Sequence, residues 1–351
     1  MEHVGIDLGS RRSHVVTIDS NGKLHRETVL TPELGSWLGQ RGASRVVMEA
    51  CTQSPAVARM SRAAGHETTI VPGAVVRALG VGARGIKTDF RDAEALARAS
   101  ARNETLPSVH VRSEASCRTR EWLAARTLLV EHRKQITLSI KSWFRGDLVV
   151  LTNTSSSKSF ATRVKKVAAE HSLQLPKPLE TLLETHEYLT TQIRALEEQV
   201  EADAKTDPTC QLLMTMPGVG PNIASSFVTQ VDDIERFATA EQLTSYLALV
   251  PGEATTGGKI VRTGTIKAGP THLKSLFVQG AWVAWRTRPN DPMVLWARQI
   301  AEKRGTRIAI VALARKMAAV LYAMWKHRTP YDPARASTCR AKPAPALTTT
   351  S

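Results

Sequence analysis

Val4-Gly5-Ile6-Asp7-Leu8-Gly9-Ser10 sets a carboxylate inside a short apolar run. A charge held in such surroundings is costly unless a cation, a hydrogen-bond donor or water meets it. Asp7 therefore needs a partner. Val4 to Leu8 and Ser13 to Ile18 read as two strands of a hairpin closed by Gly9-Ser10-Arg11-Arg12. A second turn, Asp19-Ser20-Asn21-Gly22, leads into a third strand near Leu24 to Val29.

Working outward, Thr31-Pro32-Glu33 reads as a helix start with Thr31 as N-cap, the helix reaching about Gln40. Arg45 to Ala50 reads as a buried strand whose apolar run ends in an acid, Glu49. Ser54-Pro55 opens another helix to about Ala64, and Glu67 to Val71 gives a fifth strand. Three strands in succession, then helix, strand, helix, strand, is the ribonuclease-H order, with the crossover helices that parallel neighbours require. A sugar-kinase or actin-like ATPase opens in the same way. It needs a second glycine-rich acidic phosphate motif in its later half, and this sequence has none.

Gly80 to Gly85 is too rich in glycine for a regular element and is expected to be a mobile loop. After it, Thr88 reads as the N-cap of a helix that carries Asp89 and Asp92 on one face of its first turn. Each acid has an ordinary reading when taken alone: Asp89 and Asp92 complement a helix dipole, Glu49 is solvated, and Asp7 pairs with Arg11 or Arg12. Taken together, the four meet at one edge of the expected fold, where they repel unless a divalent cation that prefers oxygen, magnesium or manganese, relieves them. Two-metal phosphodiester chemistry is the reaction such a set serves.

The 351 residues carry a formal charge of +15 and a pI near 10.0. That balance favours a polyanionic partner, nucleic acid ahead of an anionic membrane surface. No apolar run reads as a membrane span and the N-terminus has no signal-peptide layout, so a cytoplasmic protein is expected. Cys51, Cys117, Cys210 and Cys339 lack zinc or redox spacing and read as reduced thiols.

From about Ser113 to Asp147 the chain reads as a basic helix whose seam runs from Trp122 to Trp143, and residues 152–159 read as a polar Ser/Thr linker. Leu179, Leu182, His186, Leu189, Ile193, Leu196 and Val200 keep a cleaner coiled-coil pattern, with His186 as a register or packing feature. An antiparallel arm or a dimer contact is expected. Met216-Pro217-Gly218-Val219-Gly220-Pro221, between two apolar helical segments, looks like a helix-hairpin-helix whose glycines let backbone amides approach phosphate. A tight structural turn is the rival reading. Thr255-Thr256-Gly257-Gly258, followed by Lys259, Arg262 and Lys267, suits a loop that wraps a phosphate and presents a hydroxyl. The Trp residues near the C-terminus read as core, and the chain from Thr329 as a disordered tail.

The runs GIDLGS, VVMEAC and KTDFRDAEALA, in that order and separation, resemble the four-acid insertion-sequence transposases, the family of the Piv DNA invertases and the bridge-RNA-guided recombinases. The resemblance implies a RuvC-like, ribonuclease-H-fold domain over 1–112 holding Mg or Mn at Asp7, Glu49, Asp89 and Asp92. It further implies a helical coiled-coil region over 113–205, a mainly helical C-terminal transposase domain with a helix-hairpin-helix over 206–328, and then the tail over 329–351.

The family's nucleophilic serine immediately precedes a glycine in its loop; here that position is Thr256. Threonine keeps the hydroxyl, while its extra methyl stiffens the side chain and crowds in-line attack. Lys87, Arg91, Gly218, Gly220, Lys259, Arg262 and Lys267 are the residues expected to touch nucleic acid. Donor and target DNA, an element-encoded guide RNA, a homo-oligomer (dimer or tetramer) with a site composed between subunits, and a bacterial, nucleoid-associated location are likewise implied. Two alternatives remain: a RuvC-like junction nuclease that uses the acids alone, and a catalytically impaired nucleic-acid-binding relative.

Overall fold

A computed structural model of the chain describes residues 1–79, 89–102, 105–152, 159–256, 259–266 and 269–338. The chain divides into two units, Met1–Ser113 and Glu114–Ser351. The first contains β1 (Glu2–Asp7), β2 (Arg12–Ile18), β3 (Leu24–Leu30), α1 (Leu34–Gly39), β4 (Ser44–Glu49), α2 (Ser54–Ala63), β5 (Glu67–Val71), α3 (Gly73–Ala78) and α4 (Asp89–Ala101). Its sheet has the order β3-β2-β1-β4-β5. β1 pairs antiparallel with β2 and parallel with β4, and β4 pairs parallel with β5. This is the ribonuclease-H-like arrangement.

Period-two alternation assigns the two faces. Val4, Ile6, Val15, Val46, Met48 and Ile70 point to one side, where they pack with Leu34 and Leu38 of α1 and Val57 and Ala58 of α2. Val16 and Ile18 point to the other with Ala93 and Ala97 of α4, as do Val47 and Val71 with Leu96. Gly5 lies under this helix: a Cβ built there would sit 2.7 Å from the amide nitrogen of Ala97 and closer still to the carbonyl oxygen of Ala93. Only a residue without a side chain lets α4 lie that close to the strand.

Thr31 does not cap a helix as expected; residue 30 is in the capping position, with no side-chain cap. Its hydroxyl instead donates to the carbonyl of Gly9 at 2.8 Å and meets the Ser13 hydroxyl at 2.8 Å, while its amide donates to the carbonyl of Arg11. A buried threonine thus ties the β1–β2 turn to the end of β3. Proline at the second position of the short helix set up the expectation, and the nearby orphan carbonyl of the turn overrode it.

The second unit begins with α5 (Glu114–Gly146), α6 (Phe160–Glu170) and α7 (Lys177–Thr206). α5 and α7 run antiparallel: Arg126 is paired with Glu197 at 2.5 Å, Arg133 reaches the hydroxyl of Thr190 at 3.4 Å, and Ile140 and Phe144 pack with Leu179 and Leu183. α6, which the sequence reading passes over, fills the open end of this pair through Phe160, Ala161, Val164 and Ala168. His186 is 2% exposed and stacks at 4.5 Å on the ring of Phe160. The polar linker proposed over 152–159 falls largely on residues 153–158, outside the described ones.

There follow α8 (Pro208–Met214), α9 (Pro221–Val231), α10 (Ala240–Tyr246), the antiparallel strands β6 (Pro251–Thr256) and β7 (Lys259–Thr265), α11 (Thr271–Thr287), α12 (Pro292–Arg304), α13 (Thr306–His327) and α14 (Pro333–Thr338). α13 is long and apolar enough to cross a membrane by length and composition, which corrects the reading that no run qualifies, but 72% of its apolar window is buried within the unit. It is the central core helix, packed with Phe227, Phe277, Leu243 and Met293. The tail expected to be disordered from Thr329 is ordered as far as 338: the Tyr331 hydroxyl donates to the Asp291 carboxylate at 2.8 Å, and Ala336 is 2% exposed in the core. Residues 339–351 lie outside the described ones.

Candidate active site

Sheet register sets out the acidic end. β1 and β4 run parallel with Gly5 opposite Val47 and Ile6 opposite Met48, so Asp7 and Glu49 finish neighbouring strands on the face that carries α4. The direction of α4 over β1 follows from two contacts. His3 Nδ1 meets the Ser100 hydroxyl at 2.9 Å near the helix C-terminus, and Gly5 lies under Ala93 and Ala97. The helix is thus antiparallel to the strand. Advancing from His3 to Gly5 to Asp7 brings the strand to the first helical turn, where Asp89 is the first residue and Asp92 the fourth.

A ring contact fixes the same level. Phe90 packs edge-on against His14 at 4.6 Å, and His14 pairs directly across from Asp7. Asp92 is 4% exposed, one turn before Leu96, which packs over Val47. The side chain of Asp89 lies outside the described ones, and so does all of Lys87.

Glu49 is held differently. Its carboxylate rests against Gly73, the first residue of α3, so closely that a Cβ there would overlap Oε1. Among the described residues no three His, Cys, Asp or Glu side chains form a group able to hold a metal ion. The four expected residues all offer hard carboxylate oxygens, the type that magnesium and manganese take, but the described side chains do not close into a ligand cage.

The segment read as a nucleophile loop is a β-hairpin. Thr256 is the last residue of β6, and its backbone partner on β7 is Lys259; Arg262 pairs across from Glu253. The side chains of Thr256, Lys259 and Arg262 and all of Lys267 lie outside the described ones. The strand signal was present: β-branched residues on either side of a two-residue Gly-Gly connection are a hairpin pattern. Just beyond, His272 in the first turn of α11 meets the Thr127 hydroxyl at 3.2 Å, and burial, then the Arg126 guanidinium, lowers its proton affinity.

Comparison with known proteins covers both ends of the chain. A family model described as "Transposase", for the four-acid IS110 type, matches residues 4–146, and a second, "Transposase IS116/IS110/IS902 family", matches residues 210–293. The chain belongs to the IS110 family of DEDD transposases. A "Probable family 20 transposase" of Pseudomonas aeruginosa is 28% identical over 95% of this chain and 99% of its own length. The "Transposase for insertion sequence element IS1111A" of Coxiella burnetii is 27% identical over 93% and 90%, and that of IS1328 from Yersinia enterocolitica is 27% identical over 94% and 98%.

For this transposase the turn between α8 and α9 acquires a packing role beyond the phosphate-binding one expected of it. Gly218 has a φ of +81°, and a Cβ there would run into the carbonyl of Gly280 in α11 and lie 3.1 Å from the Cβ of Ala284. Left-handed backbone and close approach each require glycine here. Gly220 is the residue before α9, with open space where a Cβ would be. The expected contact residue Arg91 is exposed on α4. It has company that sequence reading overlooked: Arg98 and Arg102 follow it at helical spacing, and Arg26 of β3 lines the same groove.

Proposed function

We propose that this chain is an insertion-sequence transposase that cuts and rejoins DNA, with Asp7, Glu49, Asp89 and Asp92 as its acidic centre and the Thr256 hydroxyl as its nucleophile. The observation that carries the reading is the antiparallel seating of α4 on β1, which brings the helix's first turn over the ends of the two strands bearing Asp7 and Glu49. A divalent magnesium or manganese ion bound there would polarise a phosphate and offset its charge. The acids would hold it, and Phe90 and His14 wall one side of the strand end. The Thr256 oxygen forms a bond to phosphorus while a phosphorus–oxygen bond of the DNA breaks, the threonine proton going to solvent or a base and the released oxygen taking a proton. The phosphothreonyl ester keeps the bond energy needed to join a second DNA.

The acids lie in the first unit and Thr256 in the second, so the same reading expects a homo-oligomer with a site composed between subunits, an element-encoded guide RNA, and a cytoplasmic, nucleoid-associated protein. The deciding experiment is strand transfer with that RNA, both cognate DNAs and magnesium. Thr256→Ala and Asp7→Ala are expected to abolish transfer, while Thr256→Ser supports it with a trapped protein–DNA ester. Transfer that persists in Asp7→Ala removes the acidic centre from the mechanism. Cleavage without an adduct in both the parent and Thr256→Ala points to a nuclease that uses the acids alone.

A further inference from the structure

The helix that carries Asp89 and Asp92 has a second, outward face. Arg91, Arg98 and Arg102 lie along it with Glu94 and Ala95 between them, and together with Arg26 of β3 and Leu79 they line an open groove of about 410 Å³. That is over ten times a water molecule's share of roughly 30 Å³, room for hydrated phosphates. Among the described residues that line the groove are four guanidinium groups and one carboxylate. Glu94 accepts from Arg26 at 2.5 Å and from Arg98 at 2.8 Å, and these two cations, Arg26 first, hold its carboxyl below the usual range. Glu94 therefore stays ionised and fixes two forks side by side instead of leaving them to sweep through solvent, which reduces the ordering cost of a third, anionic partner.

Spacing suits a polymer. At about 1.5 Å per helical residue, Arg91 to Arg102 covers roughly 16 Å, about five phosphates along one strand of duplex DNA at about 3.4 Å each. Arg91 stands next to Asp92 in sequence but faces another way, about a quarter-turn or more round the helix: Asp92 is buried and Arg91 is exposed. One helix thus carries Asp92 at one end of its inner face and a row of cations along its outer face.

We propose that the Arg26, Arg91, Arg98 and Arg102 groove is a docking track for the phosphate backbone of DNA, placed so that the strand it grips continues to the acidic end of the same helix. The continuation rests on the function proposed above; the grip does not. Arginine matches phosphate through paired N–H donors and reads no base, so the track holds DNA without regard to sequence.

The test is a salt titration of the full-length protein on an unrelated linear duplex DNA and, separately, on a structured RNA of similar length. Arg91→Gln, Arg98→Gln and Arg102→Gln, combined, are expected to lower the slope of log affinity against log salt on DNA by about 0.9 for each phosphate no longer neutralised, close to 3 in all. Arg59→Gln, at an exposed position of α2, controls for general charge and is expected to shift neither slope. Circular dichroism melting confirms that the triple variant is folded, and if it is not, the single variants are each expected to lower the slope by about 1. An unchanged DNA slope overturns the track, as does an effect confined to RNA. Asp7→Ala separates the two ideas: a lowered slope in the arginine variants with transfer still active in Asp7→Ala keeps the track and removes the acidic centre.

Discussion

At the scale of single residues, two glycines against carbonyl and carboxylate neighbours behave differently. Gly5 faces main chain of α4, which has nowhere to go, so Gly5→Ala is expected to destabilise the first unit by about 3 kcal/mol, as overpacking against backbone does. Urea unfolding followed by far-UV circular dichroism measures it, and an unchanged midpoint means that α4 does not rest on β1 as described. Gly73 faces the free end of the Glu49 side chain. Gly73→Ala is expected to leave stability within about 1 kcal/mol while swinging the Glu49 carboxylate off α3, so that magnesium dependence of transfer changes and the midpoint does not. If both move together, Glu49 is anchored structurally and is no ligand. That Asp7 needs a partner is legible in the sequence, because a charge among Val4, Ile6 and Leu8 is conspicuous. The resting place of Glu49 is not, since Gly73 lies 24 positions downstream and reads as ordinary turn chemistry.

At the scale of elements, periodicity recovered the five strands, α4 and the long α5 and α7. It missed α3, α6 and α14, which are short and hold their place by packing: α6 has no side-chain cap, and its Phe160 face is apolar toward α5 and α7 alone. The α5–α7 pair also predicts a pH dependence. Burial, with the Arg133 guanidinium adding to it, lowers His186 from its ordinary 6.5 to about 4. Unfolding restores the ordinary value, so between the two the unfolded chain holds the extra proton. Stability therefore falls as pH drops from about 6.5 toward 4, by up to about 1.4 kcal/mol per pH unit. Denaturant midpoints measured through that window are expected to flatten in His186→Gln, and an equal slope in both proteins rules the histidine out. At the other end of the unit, Asp291 both caps α12, by accepting from the amide of Met293, and accepts from Tyr331. Tyr331→Phe is expected to cost about 2 kcal/mol in thermal or urea unfolding, the value of a hydrogen bond to a charged group. No measurable loss means that the chain after 328 is not held where it is described.

At the scale of the whole molecule, the proposed acids and the proposed hydroxyl are carried on separate units, and no local sequence pattern reports which copy of the chain supplies which. Mixing settles it. If Asp7→Ala and Thr256→Ala are each inactive and the site is composed between subunits, mixed oligomers of the two are expected to recover a measurable fraction of strand transfer, while a site built within one chain stays silent. Within the second unit, packed neighbours normally drift by trading bulk, one shrinking as the other grows. Gly218 and Gly280 have no bulk to trade, since each already presents bare main chain to the other. Any methyl introduced on either side has to be absorbed by sliding α11, the next helix after the β6–β7 hairpin, so this spot links the spacing of a remote turn to the footing of the strand that ends in Thr256.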